Sequence, residues 1–247
     1  MKGVILAGGL GTRLDPLTRV TNKHLLPVYN QPMIYYPIKT LVGAGIKEIL
    51  IVTGGNNAGD FLRLLANGEG FGIQDIHYAY QQGEGGIADA LRLAEHFVGT
   101  DKCIVILGDN VFDHSIKKYV FEFARQKKGA RVLLKKVPDP ERFGVAKLDG
   151  ERIMEIIEKP KNPPSDYIVT GVYMYDHQAF DFIRRLKPSR RGELEITDVN
   201  NMYLKKKQLY YNVLEGHWTD CGTFESLYRA NTIVAEKYFK KVISKRI

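Results

Sequence analysis

Short Val- and Ile-rich runs alternate with segments of helical period through the first 107 residues of this 247-residue chain, and few architectures accept that alternation. Residues 2–7 predict a first strand. Ile34, Ile38, Leu41 and Val42 predict a helix that opens near Pro32, where an N–H would have no intrahelical partner, and stops at Gly43 and Gly45. Strand Lys47–Thr53, helix 58–66, strand 76–81, helix 86–97 and strand 103–107 continue the pattern. Parallel strands with covering helices follow, hence a doubly wound, mainly parallel α/β sheet of the Rossmann-like kind.

The texture changes after Pro140. Phe143–Leu148, the turn dipeptide Asp149-Gly150 and Arg152–Lys159 read as a β-hairpin, and Tyr167–Tyr175 as a further strand. Pro160, Pro163 and Pro164 mark the loop between them, because proline cannot donate to a strand ladder. We expect a β-rich lobe grafted onto the sheet of one domain spanning residues 1–247. Beyond Thr223, the positions Phe224, Leu227, Tyr228, Val234, Tyr238, Phe239 and Val242 predict a terminal amphipathic helix.

Composition narrows the setting. No segment approaches the ~20 consecutive apolar residues of a membrane span, and the opening MKGVILAGG runs on without a cleavage region. Two cysteines, Cys103 in an apolar run and Cys221 in a polar loop, do not make a disulfide framework, so a reducing cytoplasm is expected. The net charge of +8 could serve nucleic acid, an acidic membrane surface or small anionic substrates. The basic runs Lys205-Lys206-Lys207, Lys240-Lys241 and Lys245-Arg246 lie on or after expected helices without interleaved single-strand-binding signatures. They read as solvated faces, which points to small anions rather than nucleic acid or membrane.

The first chemical signal is the turn Leu6–Leu14, LAGGLGTRL, directly after the first strand. Gly8, Gly9 and Gly11 let backbone N–H groups close on an anion, and Arg13 offers a planar fork for phosphate oxygens. A P-loop is excluded because Thr12-Arg13 follows Gly11 where Gly-Lys would be needed. A dinucleotide fingerprint is excluded because Leu14 stands where a third glycine belongs, and the second strand ends at Thr53-Gly54 without an acid. The second signal is Leu107-Gly108-Asp109-Asn110, an apolar strand ending in an acid, joined by Trp218-Thr219-Asp220-Cys221-Gly222-Thr223. Two carboxylates with water and phosphate complete a magnesium shell, although an Asp at a strand end is also ordinary turn chemistry. The third group is Phe143-Gly144-Val145, Glu158-Lys159-Pro160, Tyr167–Gly171 and Arg191-Gly192-Glu193, in which carboxylates could accept from sugar hydroxyls and Lys159 and Arg191 could hold a phosphate monoester.

In this order GGLGTRL, Lys23-His24-Leu25-Leu26-Pro27-Val28, LGDN, RFG, EKP, TGVY, RGELEITD and WTDCGT resemble the sugar-1-phosphate nucleotidylyltransferases along nearly the whole chain. PVYNQPMIYYPI and RGELEITDVN are most similar to the branch that uses dTTP and glucose 1-phosphate, with UTP or another triphosphate as the alternative. The resemblance implies that Leu6, Gly8, Gly9, Gly11 and Thr12 wrap the nucleotide, that Arg13 and Lys23 take its phosphates, and that Gln81 and Gly86 meet the base. It implies that Asp109 and Asp220 hold Mg²⁺, that Lys159 and Arg191 grip the sugar phosphate, and that Gly144, Glu158, Val169 and Trp218 form the sugar wall. Arg13, Lys23, Asp109, Lys159 and Asp220 are the implied catalytic set.

The chain departs from the family pattern in places. Phe143 stands where relatives often carry Tyr, Thr219 and Cys221 replace the commoner Leu and Thr, and the base loop Gln82-Gly83-Glu84-Gly85-Gly86 lacks the usual proline. A feedback-inhibitor site built from further helices is expected to be absent or altered, and a homo-oligomer is expected, with Tyr210-Tyr211 compatible with an interface. The contrasting class is a regulator that binds a nucleotide sugar without turning it over. The presence of both metal acids and both sugar-phosphate cations favours catalysis.

Overall fold

A computed structural model describes residues 1–55 and 57–243, the side chains of Lys241 and Val242 excepted. Lys245-Arg246 and the apolar side chain of Val242 therefore lie outside the described residues. The chain runs β1 (Lys2–Ala7), β2 (Pro27–Val28), β3 (Gln31–Pro32), α1 (Tyr35–Gly43), β4 (Glu48–Gly54), α2 (Ala58–Leu65), β5 (Asp75–Gln81), α3 (Ile87–Arg92), α4 (Glu95–Val98) and β6 (Cys103–Leu107). It continues β7 (Asn110–Phe112), α5 (Lys117–Arg125), β8 (Ala130–Lys136), β9 (Gly144–Asp149), β10 (Arg152–Glu158), β11 (Tyr167–Tyr175), α6 (Gln178–Ile183), α7 (Ile196–Lys205), β12 (Leu209–Val213), β13 (Trp218–Asp220) and α8 (Phe224–Ile243).

Nine strands form one sheet, in the path β10-β9-β11-β6-β1-β4-β5 with β8 joined to β11 and β12 to β8. β6, β1, β4 and β5 are mutually parallel, the arrangement the alternating pattern predicts. Buried on both faces, β1 and β6 are nearly continuous apolar runs. One face packs on α3, α6 and α7 through Leu91, Phe180, Phe182, Val199 and Tyr203, and the other on α1, α2 and α5 through Ile38, Leu41, Phe61 and Phe123. The expected lobe is a continuation of the same sheet: the β9–β10 hairpin attaches through Val145 to Ile168 on β11.

β11 is where the sheet forks. Its first half pairs with β8 and β9, and its second half with β8 and β6, with the register slipping between Val169 and Tyr173. The fork separates the carboxyl end of β6 from the start of β9 and leaves a crevice there. A third cluster, Leu14, Leu26, Val28, Met33, Val111, Cys221 and Ala230, ties the residue after the glycine turn to the β7–β13 ribbon and to α8.

Two helix boundaries differ from expectation. Pro32 does not open α1; it pairs with Pro27 in the β2–β3 ribbon, and the helix begins at Tyr35. The segment 86–97 is two short helices, because Leu93 and Ala94 donate to Ala90 and Leu91, three residues back, and tighten the chain between them.

Candidate active site

β1 delivers the glycine turn to the carboxyl edge of the parallel strands. Gly8 lets the Gln81 amide approach the turn: a Cβ there would come 2.8 Å from Gln81 Oε1. Gly11 has φ 70, and a Cβ would meet Lys23 Cβ at 2.8 Å, so it seats the turn against the Lys23 side chain. A 3-10 turn over Thr12–Leu14 then presents Arg13.

At the end of β6, Asp109 sits at the centre of a network. Its Oδ2 accepts from Lys23 Nζ at 2.6 Å and its Oδ1 from Asn110 Nδ2 at 2.9 Å. Burial alone would raise this carboxyl, but the charge and hydrogen bond of Lys23, with the Asn110 amide, hold it below the ordinary aspartate range. Asn110 Oδ1 accepts from Trp218 Nε1 at 2.7 Å and from the Gly171 N–H at 3.1 Å. Any side chain at 171 would displace that amide, since a Cβ would fall 2.6 Å from it. The β7–β13 register sets Asp220 opposite Asn110, which brings the second acid to the same corner. Burial, and then the neighbouring charge of Asp109, raise the Asp220 carboxyl, against the pull of Arg142.

Two adjoining cavities meet at these groups. One, about 310 Å³, is lined by Leu6, Gly8, Gly9, Arg13, Lys23, Gln81, Gly86 and Asp109 among others. The other, about 170 Å³, is lined by Arg13, Asp109, Gly144, Glu158, Lys159, Val169, Trp218 and Asp220 together with further residues of the sheet fork and α7. Arg13 and Asp109 face both. The larger half is closed by Gln81, whose Nε2 donates to Gly86 O and to Asp89 Oδ2, and by Gly86, whose φ of 93 and contact with Leu194 O exclude a side chain. In the smaller half Glu158 Oε2 accepts from Thr197 Oγ1 at 2.5 Å. Burial raises the Glu158 carboxyl, and the Thr197 bond partly restores it.

Three expected site residues are placed differently. Gly11 and Thr12 do not line either cavity: they form the back of the turn that carries Arg13. Arg191 also stands off the lining, at the rim, where its guanidinium contacts Glu193 at 2.5 Å, Glu195 at 3.4 Å and Glu158 at 3.7 Å. The sequence reading assigned no role to Arg142, Thr197, Asn110 or Tyr173, all of which line the smaller cavity. Asn110 lies inside the quoted LGDN, Arg142 inside RFG, Tyr173 inside TGVY and Thr197 inside RGELEITD, so each stands in a motif that carries the resemblance, without a role of its own.

A cleft at the carboxyl edge of a parallel sheet, with a glycine turn, converging cations and a pair of acids, defines a phosphate-handling nucleotide enzyme. The chain belongs to the nucleotidyl transferase family, whose profile matches residues 2–237. It is 48% identical over 238 residues to the glucose-1-phosphate thymidylyltransferase of Neisseria meningitidis serogroup A, covering 95% of this chain and 82% of that one. It is 40% identical over 242 residues to the enzyme of that name from Mycobacterium tuberculosis, with coverage of 95% and 82%. A crystal structure of a Bacillus anthracis protein, provisionally named a glucose-1-phosphate thymidylyltransferase and complexed with sucrose, superposes with a TM-score of 0.91 at 55% identity, covering 94% of each chain. UDP-glucose pyrophosphorylase complexed with UDP-glucose superposes with a TM-score of 0.85 at 26% identity, covering 96% of this chain and 98% of that one.

Enzymes of this family generally use a divalent metal ion. Among the described residues no group of three or more His, Cys, Asp and Glu side chains gathers as a metal cage. Asp109 and Asp220, two carboxylates lining one cavity, suit a cation that keeps water and substrate phosphate as its other ligands. Cys103 and Cys221 are separate buried thiols, and no described helix is long and apolar enough to cross a membrane.

Proposed function

We propose that this chain transfers a thymidylyl group from dTTP to glucose 1-phosphate, giving dTDP-glucose and pyrophosphate, with Mg²⁺ as the divalent ion. The observation that carries the reading is that two cavities of different character share Arg13 and Asp109, so two ligands bound side by side would meet there. Curated relatives that share most of the chain act, by name, on glucose 1-phosphate and a thymidylyl donor, which supports the choice of substrates.

In this reading an oxygen of the sugar phosphate attacks the α-phosphorus while the bond to the β-phosphate bridging oxygen breaks on the opposite side, and its electron pair leaves with pyrophosphate. The nucleophile is already an anion, so alignment and charge are the difficulty. At an effective dielectric of ~20, two unit charges ~4 Å apart repel by about 4 kcal/mol, enough to forbid a complex of two polyanions without cations between them. Arg13 and Lys23 serve the triphosphate, Lys159 serves the sugar phosphate, and Arg191 reaches it from the rim on leaving its carboxylates. A divalent ion held by Asp109 and Asp220 would add positive charge where the two phosphates meet. Glu158, held by Thr197, orients a sugar hydroxyl. Gln81 and Gly86 contact the base. The separate buried thiols support a reducing, cytoplasmic setting.

The test is pyrophosphate release with dTTP or UTP against glucose 1-phosphate and other sugar 1-phosphates, with Mg²⁺ present or chelated. Fastest turnover with dTTP and glucose 1-phosphate, lost on chelation, is expected. Binding of both substrates without pyrophosphate release would indicate a nucleotide-sugar regulator instead.

A further inference from the structure

Both acids at the junction of the cleft carry a cation of the protein's own: Lys23 on Asp109 and Arg142 on Asp220. Arg142 ends the 3-10 turn Pro140–Arg142 just before β9. Its Nη2 donates to Asp220 Oδ2 at 3.0 Å and its Nη1 to Asp139 Oδ2 at 2.8 Å, while the guanidinium lies over the Phe143 ring at 5.0 Å. The Gly222 N–H donates to the same Oδ2 at 3.1 Å. Arg142 is therefore anchored twice away from Asp220, once by a carboxylate and once by an aromatic face. It can release Asp220 without becoming an unpaired buried charge, which would be costly. A divalent ion on Asp220 would stand beside this guanidinium, and the two like charges would repel.

We propose that Arg142 is the resident counter-cation of Asp220, occupying the carboxylate until a divalent cation takes it and competing with that cation for it, with Asp139 as the partner that keeps Arg142 when it is displaced. The proposal rests on the metal role assigned to Asp220 above. It makes Arg142 a positioning residue that tunes how readily the free protein accepts metal.

Binding of Mn²⁺ alone to the free full-length protein, followed by electron paramagnetic resonance, tests it. Arg142→Gln should bind Mn²⁺ tighter, by on the order of tenfold, equivalent to about 1.4 kcal/mol. Arg142→Lys should stay within about threefold of the wild type, because the charge remains. Asp139→Asn should shift affinity the other way, since the guanidinium loses its second carboxylate and stays on Asp220. Unchanged or weaker binding in Arg142→Gln, or tighter binding in Asp139→Asn, would overturn the proposal. Asp220→Asn separates the two levels: if it leaves Mn²⁺ affinity untouched, the metal role of Asp220 fails. If it weakens binding while Arg142→Gln has no effect, only the competition fails.

Discussion

The half of the cleft assigned to the triphosphate is shaped mainly by backbone, and the half assigned to the sugar mainly by side chains. The first is built on the turn between β1 and a 3-10 turn, in which Gly11 excludes a Cβ by close contact with Lys23, and on Gly86 at the head of α3, where a Cβ would meet Leu194 O. The second is a wall assembled from β9, β10, β11 and α7, in which Glu158 is held by Thr197 across 39 residues of sequence. A backbone-built half gives little room for change without refolding the turn. A wall of side chains can be altered one contact at a time, so sugar choice should be easier to change than triphosphate binding.

The largest expected effect falls where the halves join. Asp109→Asn should lower kcat by on the order of 10³ with a near-native circular dichroism spectrum, because it removes charge stabilisation at the reacting phosphates. Turnover within tenfold of wild type, measured as pyrophosphate release at limiting Mg²⁺, would remove Asp109 from the chemistry and leave the halves without a common centre.

Gly86→Ala comes next. At φ 93, with Leu194 O 2.7 Å from the added Cβ, it should cost roughly 1–3 kcal/mol of stability and raise KM for the triphosphate while leaving KM for the sugar phosphate unchanged. Equal rises in both constants would break the distinction between the halves. Thr197→Val sharpens it from the other side. Losing one hydrogen bond to the half-buried Glu158 should raise KM for the sugar phosphate about fivefold to tenfold, in keeping with about 1–1.4 kcal/mol, with triphosphate binding unmoved.

The smallest effect concerns pH. His24 is buried beside the triphosphate half, and burial, then the Lys23 charge, lower its pKa to about 3. The unfolded chain takes up this proton near pH ~6.5 and the folded protein does not, so stability falls as pH drops from there toward 3, by at most ~1.4 kcal/mol per pH unit. Urea unfolding between pH 7 and 4 should show a shallower acid loss in His24→Gln than in the wild type. Identical slopes would mean that His24 accepts its proton while folded.

The same contrast explains what could be read from the chain. β1, β4 and β6 announce themselves because strands buried on both faces must be apolar throughout, the half-exposed edge strand β5 follows from its place in the alternation, and the glycine turn stands directly after the first of them. The bounds of α7 were not legible, although Lys205-Lys206-Lys207 was expected on or after a helix. Its inward face carries Thr197 and Asn200, which are buried toward the sugar half, so polar residues interrupt the apolar period that would reveal a helix. The pairing of Arg142, which stands in the quoted RFG, was hidden for a different reason. Its partner Asp220 lies 78 residues away, and only the β7–β13 ribbon and the sheet fork bring them together. Local pattern shows which elements form, but it does not show which distant charges they deliver to one corner.

The account requires both substrates to be present at once on either side of Asp109 and the phosphoryl centre to be displaced once, without a nucleotidyl-enzyme intermediate. Turnover of dTTP made chiral at the α-phosphorus by a single sulfur substitution tests this, with the configuration of the dTDP-glucose product read by phosphorus NMR. A single in-line displacement predicts inversion. Retention would show two displacements and a covalent intermediate, and would contradict the arrangement of the cleft argued here.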